Sequence, residues 1–179
     1  MSQIATTYAE ALYGLAKEEN LTESVLQQLQ ALGEAFEAEP DFLRLMTAAN
    51  LSKEERCRIL DESFRGKAEP YVLNFMKILT EKGYMSHFAD FVKAYRAAYN
   101  TDHGIVPVKA VTAVPMTEEQ IARLTEKLAK ITGKTIEVQC SVDPTVLGGV
   151  RLDYDGKRVD GTVKSRLDTV SELLKNTVC

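Results

Sequence analysis

The stretch SVDPTVLGGVRLDYDGKRVDGTVKSRL, Ser141 to Leu167, holds four of the chain's ten glycines and sets them beside Lys and Arg. Glycines next to cations are what a phosphate-cradling loop needs, but such a loop leads into a helix whose N-terminal N–H groups hold the anion. Gly148-Gly149 instead leads into an alternating run, Val150, Leu152 and Tyr154, so the pair reads as a bulge or close backbone approach at a strand. Asp155-Gly156 is a two-residue hairpin signal, and the return strand runs to about Asp160. Asp160-Gly161-Thr162 then reads as a strand-to-helix turn ahead of a final helix striped by Val163, Leu167, Val170 and Leu174. An anion held at that helix start, favoured by Lys164 and Arg166, is the competing reading.

Upstream, TIEVQCSV alternates cleanly, with Ile136, Val138, Cys140 and Val142 on one face, and the valine-dense run from Ile105 to Val114 reads as another strand. Between them Thr117 and Gln120 have capping-box spacing ahead of a helix striped by Ile121, Leu124, Leu128 and Ile131, which Gly133 closes. Gly133-Lys134-Thr135 looks superficially like the end of a P-loop. It runs from helix to strand, the reverse of that motif, and Leu128 stands where its leading glycine belongs. Residues 105–179 therefore read as a small α+β unit.

The first 104 residues have a different period. Apolar positions return at threes and fours, with breakers between the runs. Ile4, Tyr8, Ala11 and Leu15 make the first stripe; Val25, Leu29, Leu32 and Phe36 the second, with Thr22 as expected N-cap. A short piece carries Phe42 and Leu45. Ser52 and Glu55 have capping-box spacing before a helix with Cys57, Leu60 and Phe64 that ends near Gly66. Pro70 opens the next, striped by Val72, Phe75, Met76 and Leu79 and stopped at Lys82-Gly83. The last runs through Phe88, Val92, Tyr95 and Tyr99. The expected fold class is α+β: a six-helix bundle over 1–104, then the α+β unit over 105–179.

The 179 residues are 45% hydrophobic and 27% charged, a globular composition. Cys57, Cys140 and Cys179 are an odd, widely spaced set and do not read as a disulfide framework. The start MSQIATTYAEALYGLAKEEN lacks the pattern of a signal peptide, and no run reaches the ~18 apolar residues of a membrane span. Residues 1–104 hold 11 basic and 16 acidic side chains, a net of −5, and residues 105–179 hold 11 and 10, a net of +1. Neither half carries the basic surplus of a phosphate-backbone binder, so no nucleic acid partner is expected.

Catalytic patterns are thin. With His87 and His103 as its two histidines and no CxxC, HExxH or GxSxG, the chain offers no catalytic, metal or cofactor site. Binding remains. The first helix is rich in small residues (Ala5, Ala9, Ala11, Gly14 and Ala16), which fits either tight packing in its own bundle or close approach by a foreign helix. On the fifth, Asn74, Ile78 and Glu81 flank the apolar stripe at helical spacing. If that flank borders the first helix, the two form a groove suited to an amphipathic helix.

These residues resemble the delta subunit family of F-type ATP synthases, whose mitochondrial counterpart is the oligomycin-sensitivity-conferring protein. VDPTVLGGVRLDYDGKRVDGTVKSRLDTVSELL is similar to the family's C-terminal signature, IATTYAEALYGLA to its N-terminal helix and LNFMKILTEKGYM to its fifth. Asp143, Gly148, Gly149, Asp160, Gly161, Arg166 and Leu167 fall on the signature. Thr162 stands where serine is commoner and Ser165 where glycine is common. The resemblance implies a non-catalytic stator joint that ties the catalytic head to the peripheral stalk, so that rotor torque drives ATP synthesis. It implies that the alpha subunit's N-terminal helix is held at Tyr8, Ala11, Leu15, Asn74 and Ile78, and that the C-terminal half binds the peripheral-stalk b subunits. It further implies one copy per complex on the cytoplasmic face of the cell membrane, associated with it only through partners. Two other readings compete: an RNA-binding helical bundle, which the net −5 disfavours, and a phosphate-ligand enzyme or sensor using the loops over 148–166.

Overall fold

A computed structural model describes residues 3–48, 51–146, 148–154 and 156–161. Thr162, the final helix expected through Val163, Leu167, Val170 and Leu174, and the signature positions Arg166 and Leu167 lie outside the described residues, as does Asp155. The chain divides into two compact units, Met1–Tyr99 and Asn100–Cys179. Its architecture is mixed α+β: seven α-helices and a four-stranded sheet among the described residues.

The first unit is helical: α1 (Gln3–Glu18), α2 (Thr22–Ala38), α3 (Pro40–Thr47), α4 (Lys53–Phe64), α5 (Pro70–Lys82) and α6 (Phe88–Asp102), with a 3-10 turn at Met85–His87. Local chemistry sets several ends. Ser52 and Glu55 form the expected capping box, Glu55 N–H donating to Ser52 Oγ at 3.1 Å and Ser52 N–H to Glu55 Oε2 at 2.9 Å. Pro70 occupies the first turn of α5, where a missing N–H costs nothing. The N–H of Glu69, at the N-cap of α5, donates to the Gln28 side chain at 2.8 Å, so α2 caps α5 across 41 residues of sequence. Thr22 is not the N-cap of α2. It lies inside the helix, and Leu21 takes the cap position without a side-chain bond, after a tight turn in which Asn20 adopts φ 57°. The Thr22 carbonyl instead accepts the hydroxyl of buried Tyr95 at 3.2 Å.

Packing in this unit centres on Phe36. Its ring stacks on Phe42 at 5.1 Å and meets Phe88 and Phe64 edge-on at 5.0 and 6.5 Å, which ties α2, α3, α4 and α6 together. Such pairs add about 0.5–1.5 kcal/mol each beyond the area they bury. On α1 the buried face is Ala5, Ala9, Leu12, Tyr13 and Ala16. This corrects the expected stripe: Ile4, Tyr8, Ala11 and Leu15 are not the core face.

The second unit is built on β1 (Ile105–Thr112), α7 (Glu118–Thr132), β2 (Thr135–Val142), β3 (Val150–Tyr154) and β4 (Lys157–Asp160). The sheet order is β2-β1-β3-β4. β1 and β2 are parallel, with α7 as their crossover, and β3 pairs antiparallel with both β1 and β4. The Thr117 and Gln120 capping box starts α7, and Gly133, at φ 66°, ends it two residues before β2. Leu124, Leu128 and Ala129 of α7 pack on Val108, Ala110, Ile136 and Leu152. β1 ends two residues earlier than expected: Thr112 Oγ1 donates to the Val114 carbonyl at 2.8 Å, turning the chain, and Val114 is 70% exposed.

Backbone geometry accounts for the glycines before β3. Gly148 and Gly149 adopt φ 150° and 85°, where a Cβ is strained. Gly161 extends the β3–β4 pairing, its N–H donating to Val150 O at 3.1 Å, and a Cβ there would stand 3.2 Å from that oxygen.

Two stability predictions follow from these contacts. Phe36→Ala is expected to cost ~3–5 kcal/mol in chemical denaturation of the helical unit; a loss under ~1 kcal/mol contradicts its central position. Gly149→Ala is expected to cost ~1–2 kcal/mol, the penalty of a left-handed alanine. An unchanged midpoint would show that the turn relaxes freely.

Candidate interaction surface on the helical unit

α1 carries two apolar faces. At 3.6 residues per turn, Ile4, Tyr8, Ala11 and Leu15 lie within about 60° of one another, and the buried set is centred about 110° away. The first set faces outward. Ile4 is 43% exposed and Leu15 50%, Ala11 is exposed and Tyr8 half-buried. α5 repeats the arrangement, burying Val72, Leu73, Phe75, Met76, Leu79 and Thr80 while Asn74, Glu81 and Ile78, 42% exposed, stand on its outer face.

The two helices pack together, and contacts at both ends show that they run antiparallel. Tyr8 meets Tyr84, just beyond the end of α5, with ring centroids 6.3 Å apart. At the opposite end the Tyr71 hydroxyl bonds to Glu19, and the negative charge of that carboxylate is the main cause raising the phenol's pKa. Interpolation between these anchors at ~1.5 Å per residue sets Leu15 at the level of about Asn74 to Ile78 and Ala11 at that of about Ile78 to Glu81. All five residues expected to receive a helix thus lie on two adjacent antiparallel helices, four of them exposed.

Tyr8 also reaches inward. Its ring meets Phe91 edge-on at 6.2 Å, and Phe91 in turn meets Phe75 at 5.8 Å. Where the α1 stripe begins, Ile4, Ala5, Tyr84, His87, Asp90 and Phe91 line a cavity of about 220 Å³. His87 Nδ1 and Asp90 Oδ2 stand 3.9 Å apart at its polar side. Sequence reasoning did not single out Tyr84, Asp90 or Phe91, because the cavity joins α1, the turn after α5 and α6. The available signal was Tyr84 and Phe91, spaced by seven but outside the Phe88, Val92, Tyr95 and Tyr99 stripe.

The signature positions that are described do local work in the second unit. Asp143 Oδ1 accepts from the Thr145 N–H at 3.0 Å and its hydroxyl at 2.7 Å, holding the turn Pro144–Val146 whose Val146 is 4% exposed. Gly148 and Gly149 admit the chain to β3, Asp160 ends β4 opposite Arg151, and Gly161 follows it. On the sheet face opposite α7, Gln139, Lys109, Asp153 and Arg158 form one row across all four strands. Arg158 Nε donates to Asp153 Oδ1 at 2.7 Å. Among the described residues no three His, Cys, Asp or Glu side chains gather as metal ligands, and no helix is long and apolar enough to cross a membrane.

Comparison with known proteins agrees with this architecture. The chain is 35% identical over 171 residues to ATP synthase subunit delta of Alkaliphilus oremlandii, covering 96% of this chain and 95% of that one. It is 32% identical over 176 residues to the protein of the same name from Clostridioides difficile, covering 98% and 97%. In fold it matches a chain from the cryo-EM structure of the Toxoplasma gondii mitochondrial ATP synthase hexamer, with a TM-score of 0.76 at 19% identity over 97% of this chain and 98% of that one. The model of the family described as ATP synthase delta (OSCP) subunit matches residues 4–174, and the chain belongs to that family.

Proposed function

We propose that the six helices of the first unit act as one bundle whose α1 and α5 faces seat the N-terminal helix of the ATP synthase alpha subunit, through Tyr8, Ala11, Leu15, Asn74 and Ile78. The chain is a non-catalytic subunit of F-type ATP synthase and a stator component of its peripheral stalk. In the proposed arrangement residues 1–104 hold the head and residues 105–179 hold the b subunits, one copy per complex on the cytoplasmic face of the membrane. A single joint of this kind resists rotor torque, so that turning of the rotor drives catalysis instead of spinning the head.

One observation carries the reading: Leu15 and Ile78, 50% and 42% exposed, lie on two neighbouring helices whose inner faces are already filled, and Ile4, 43% exposed, continues the α1 stripe about three turns away. Large aliphatic side chains grouped outside a complete core are the mark of a docking surface. Complementarity to an amphipathic helix follows from the spacing of Ile4, Tyr8 and Ala11 on α1 and of Asn74, Ile78 and Glu81 on α5, because residues at i, i+4 and i+7 meet the same spacing on a partner. The signature residues Asp143, Gly148, Gly149, Asp160 and Gly161 are assigned a structural role. They shape the turn and hairpin that the stalk-binding half depends on.

Calorimetric titration of the full chain with a synthetic peptide of the alpha subunit's N-terminal helix tests this. Wild type is expected to bind saturably. Ile78→Asp and Leu15→Asp, both at exposed sites, are each expected to weaken binding about 30-fold, equivalent to ~2 kcal/mol, while leaving the helical circular dichroism intact. Tyr8→Ala is a poorer probe, because Tyr8 also packs on Tyr84 and Phe91. Equal affinity in wild type and both Asp variants rules out the groove.

A further inference from the structure

We infer that the cavity at the N-terminal end of α1 takes one bulky apolar side chain of the docked helix, and that carboxylates along the groove select a helix with cationic flanks. This deepens the docking proposed above and rests on it. The cavity continues the outward stripe: Ile4 lies one turn before Tyr8, and Tyr8 touches both Tyr84 and Phe91 of the cavity wall. Its size decides the class of occupant. At about 220 Å³ it falls below the roughly 300–1,000 Å³ of small-molecule sites, and its walls are mostly the carbon surfaces of Ile4, Ala5, Tyr84 and Phe91. It suits one Leu-, Ile- or Phe-sized side chain, the kind of pocket that fixes the register of a helix lying in a groove.

Charge along the groove has one dominant sign. Glu18 follows Ala11 and Leu15 by seven and three residues, and Glu81 follows Asn74 and Ile78 by the same steps, so both carboxylates border the apolar faces. Both are exposed, and Asp90 stands at the cavity. On α5, Lys77 is turned away to Asp61 of α4 at 2.7 Å, and Lys82, exposed and four residues after Ile78, offsets one of these three carboxylates and leaves the balance acidic. Opposite charges beside an apolar seat steer a partner and exclude wrong ones more than they add affinity. A helix with lysine or arginine beside its apolar stripe is accepted, and one with glutamate there is repelled.

The test titrates the full chain with three peptides: the alpha-subunit helix, a designed amphipathic helix with Leu anchors and Lys flanks, and its twin with Glu flanks. The Lys-flanked peptide is expected to bind, with affinity falling as salt is raised, and the Glu-flanked twin to bind at least ~10-fold more weakly. Glu81→Lys with Asp90→Lys is expected to reverse that preference. Ala5→Leu, which fills the cavity from within, is expected to weaken the Lys-flanked peptide ~10-fold or more. Should Ala5→Leu fail to fold by circular dichroism, Ile4→Trp at the exposed mouth replaces it. If the alpha helix binds and Ile78→Asp abolishes it, yet the cavity and charge variants change nothing, this inference falls and the groove stands. If the Lys-flanked peptide binds through the cavity and the alpha helix does not, the inference stands and the choice of partner falls. Equal binding of both designed peptides, or of neither, overturns it.

Discussion

Three alanines decide how α1 sits. Ala5, Ala9 and Ala16 are at most 1% exposed, so the helix rests on the core through side chains too short to hold it away. Leu12 and Tyr13 complete that inner face, and the apolar side chains about 110° around the helix are left outside. Burying an Ile or Leu fully is worth about 1.5–3 kcal/mol, and Ile4, Leu15 and Ile78 forgo roughly half of this in the free chain. Such a surface is a standing cost to an isolated subunit. It is recovered when a partner covers it, which makes free and docked states differ in stability without any change of fold.

The proposed groove extends the core and is not a patch laid upon it. Tyr8 contacts Phe91, Phe91 contacts Phe75, and one turn before Phe91 on α6 Phe88 meets Phe36, which joins Phe42 and Phe64. Aromatic rings packed edge to face have few alternative rotamers, so the floor of the groove is ordered before a partner arrives. Association then loses less conformational freedom than it would on a mobile surface, and the saving lengthens residence. A joint under torque needs slow release more than fast capture.

Much of the fold was legible because it is written in local chemistry. Capping boxes at Ser52–Glu55 and Thr117–Gln120 depend on residues three apart, and the alternation of β2 and β3 on residues two apart. What the sequence could not assign was which apolar face of α1 is buried. Periodicity reports that a stripe exists, and here two stripes overlap; only the neighbouring helices choose between them. Gln28 capping α5 from 41 residues away, and a cavity shared by α1, α6 and the turn between α5 and α6, are likewise products of tertiary packing. Thr22 failed as a cap because Asn20 makes the preceding turn and moves the helix start by one residue.

The glycines of the second unit follow the same division between local sign and tertiary use. A pair of glycines beside arginine has the composition of an anion loop, but function depends on where the N–H groups point. After Gly149 the backbone enters β3 and spends those donors on the ladder to β1 and β4, while Gly161 gives its own N–H to Val150. Asp143 meanwhile accepts two bonds from Thr145 within its own turn. The donors of β3 and of Gly161 are committed to holding the hairpin, which favours a shaping role for the described glycine loops. The chemistry of this chain resides in surfaces it offers to other chains, and its glycines and alanines matter for where they allow those surfaces to stand.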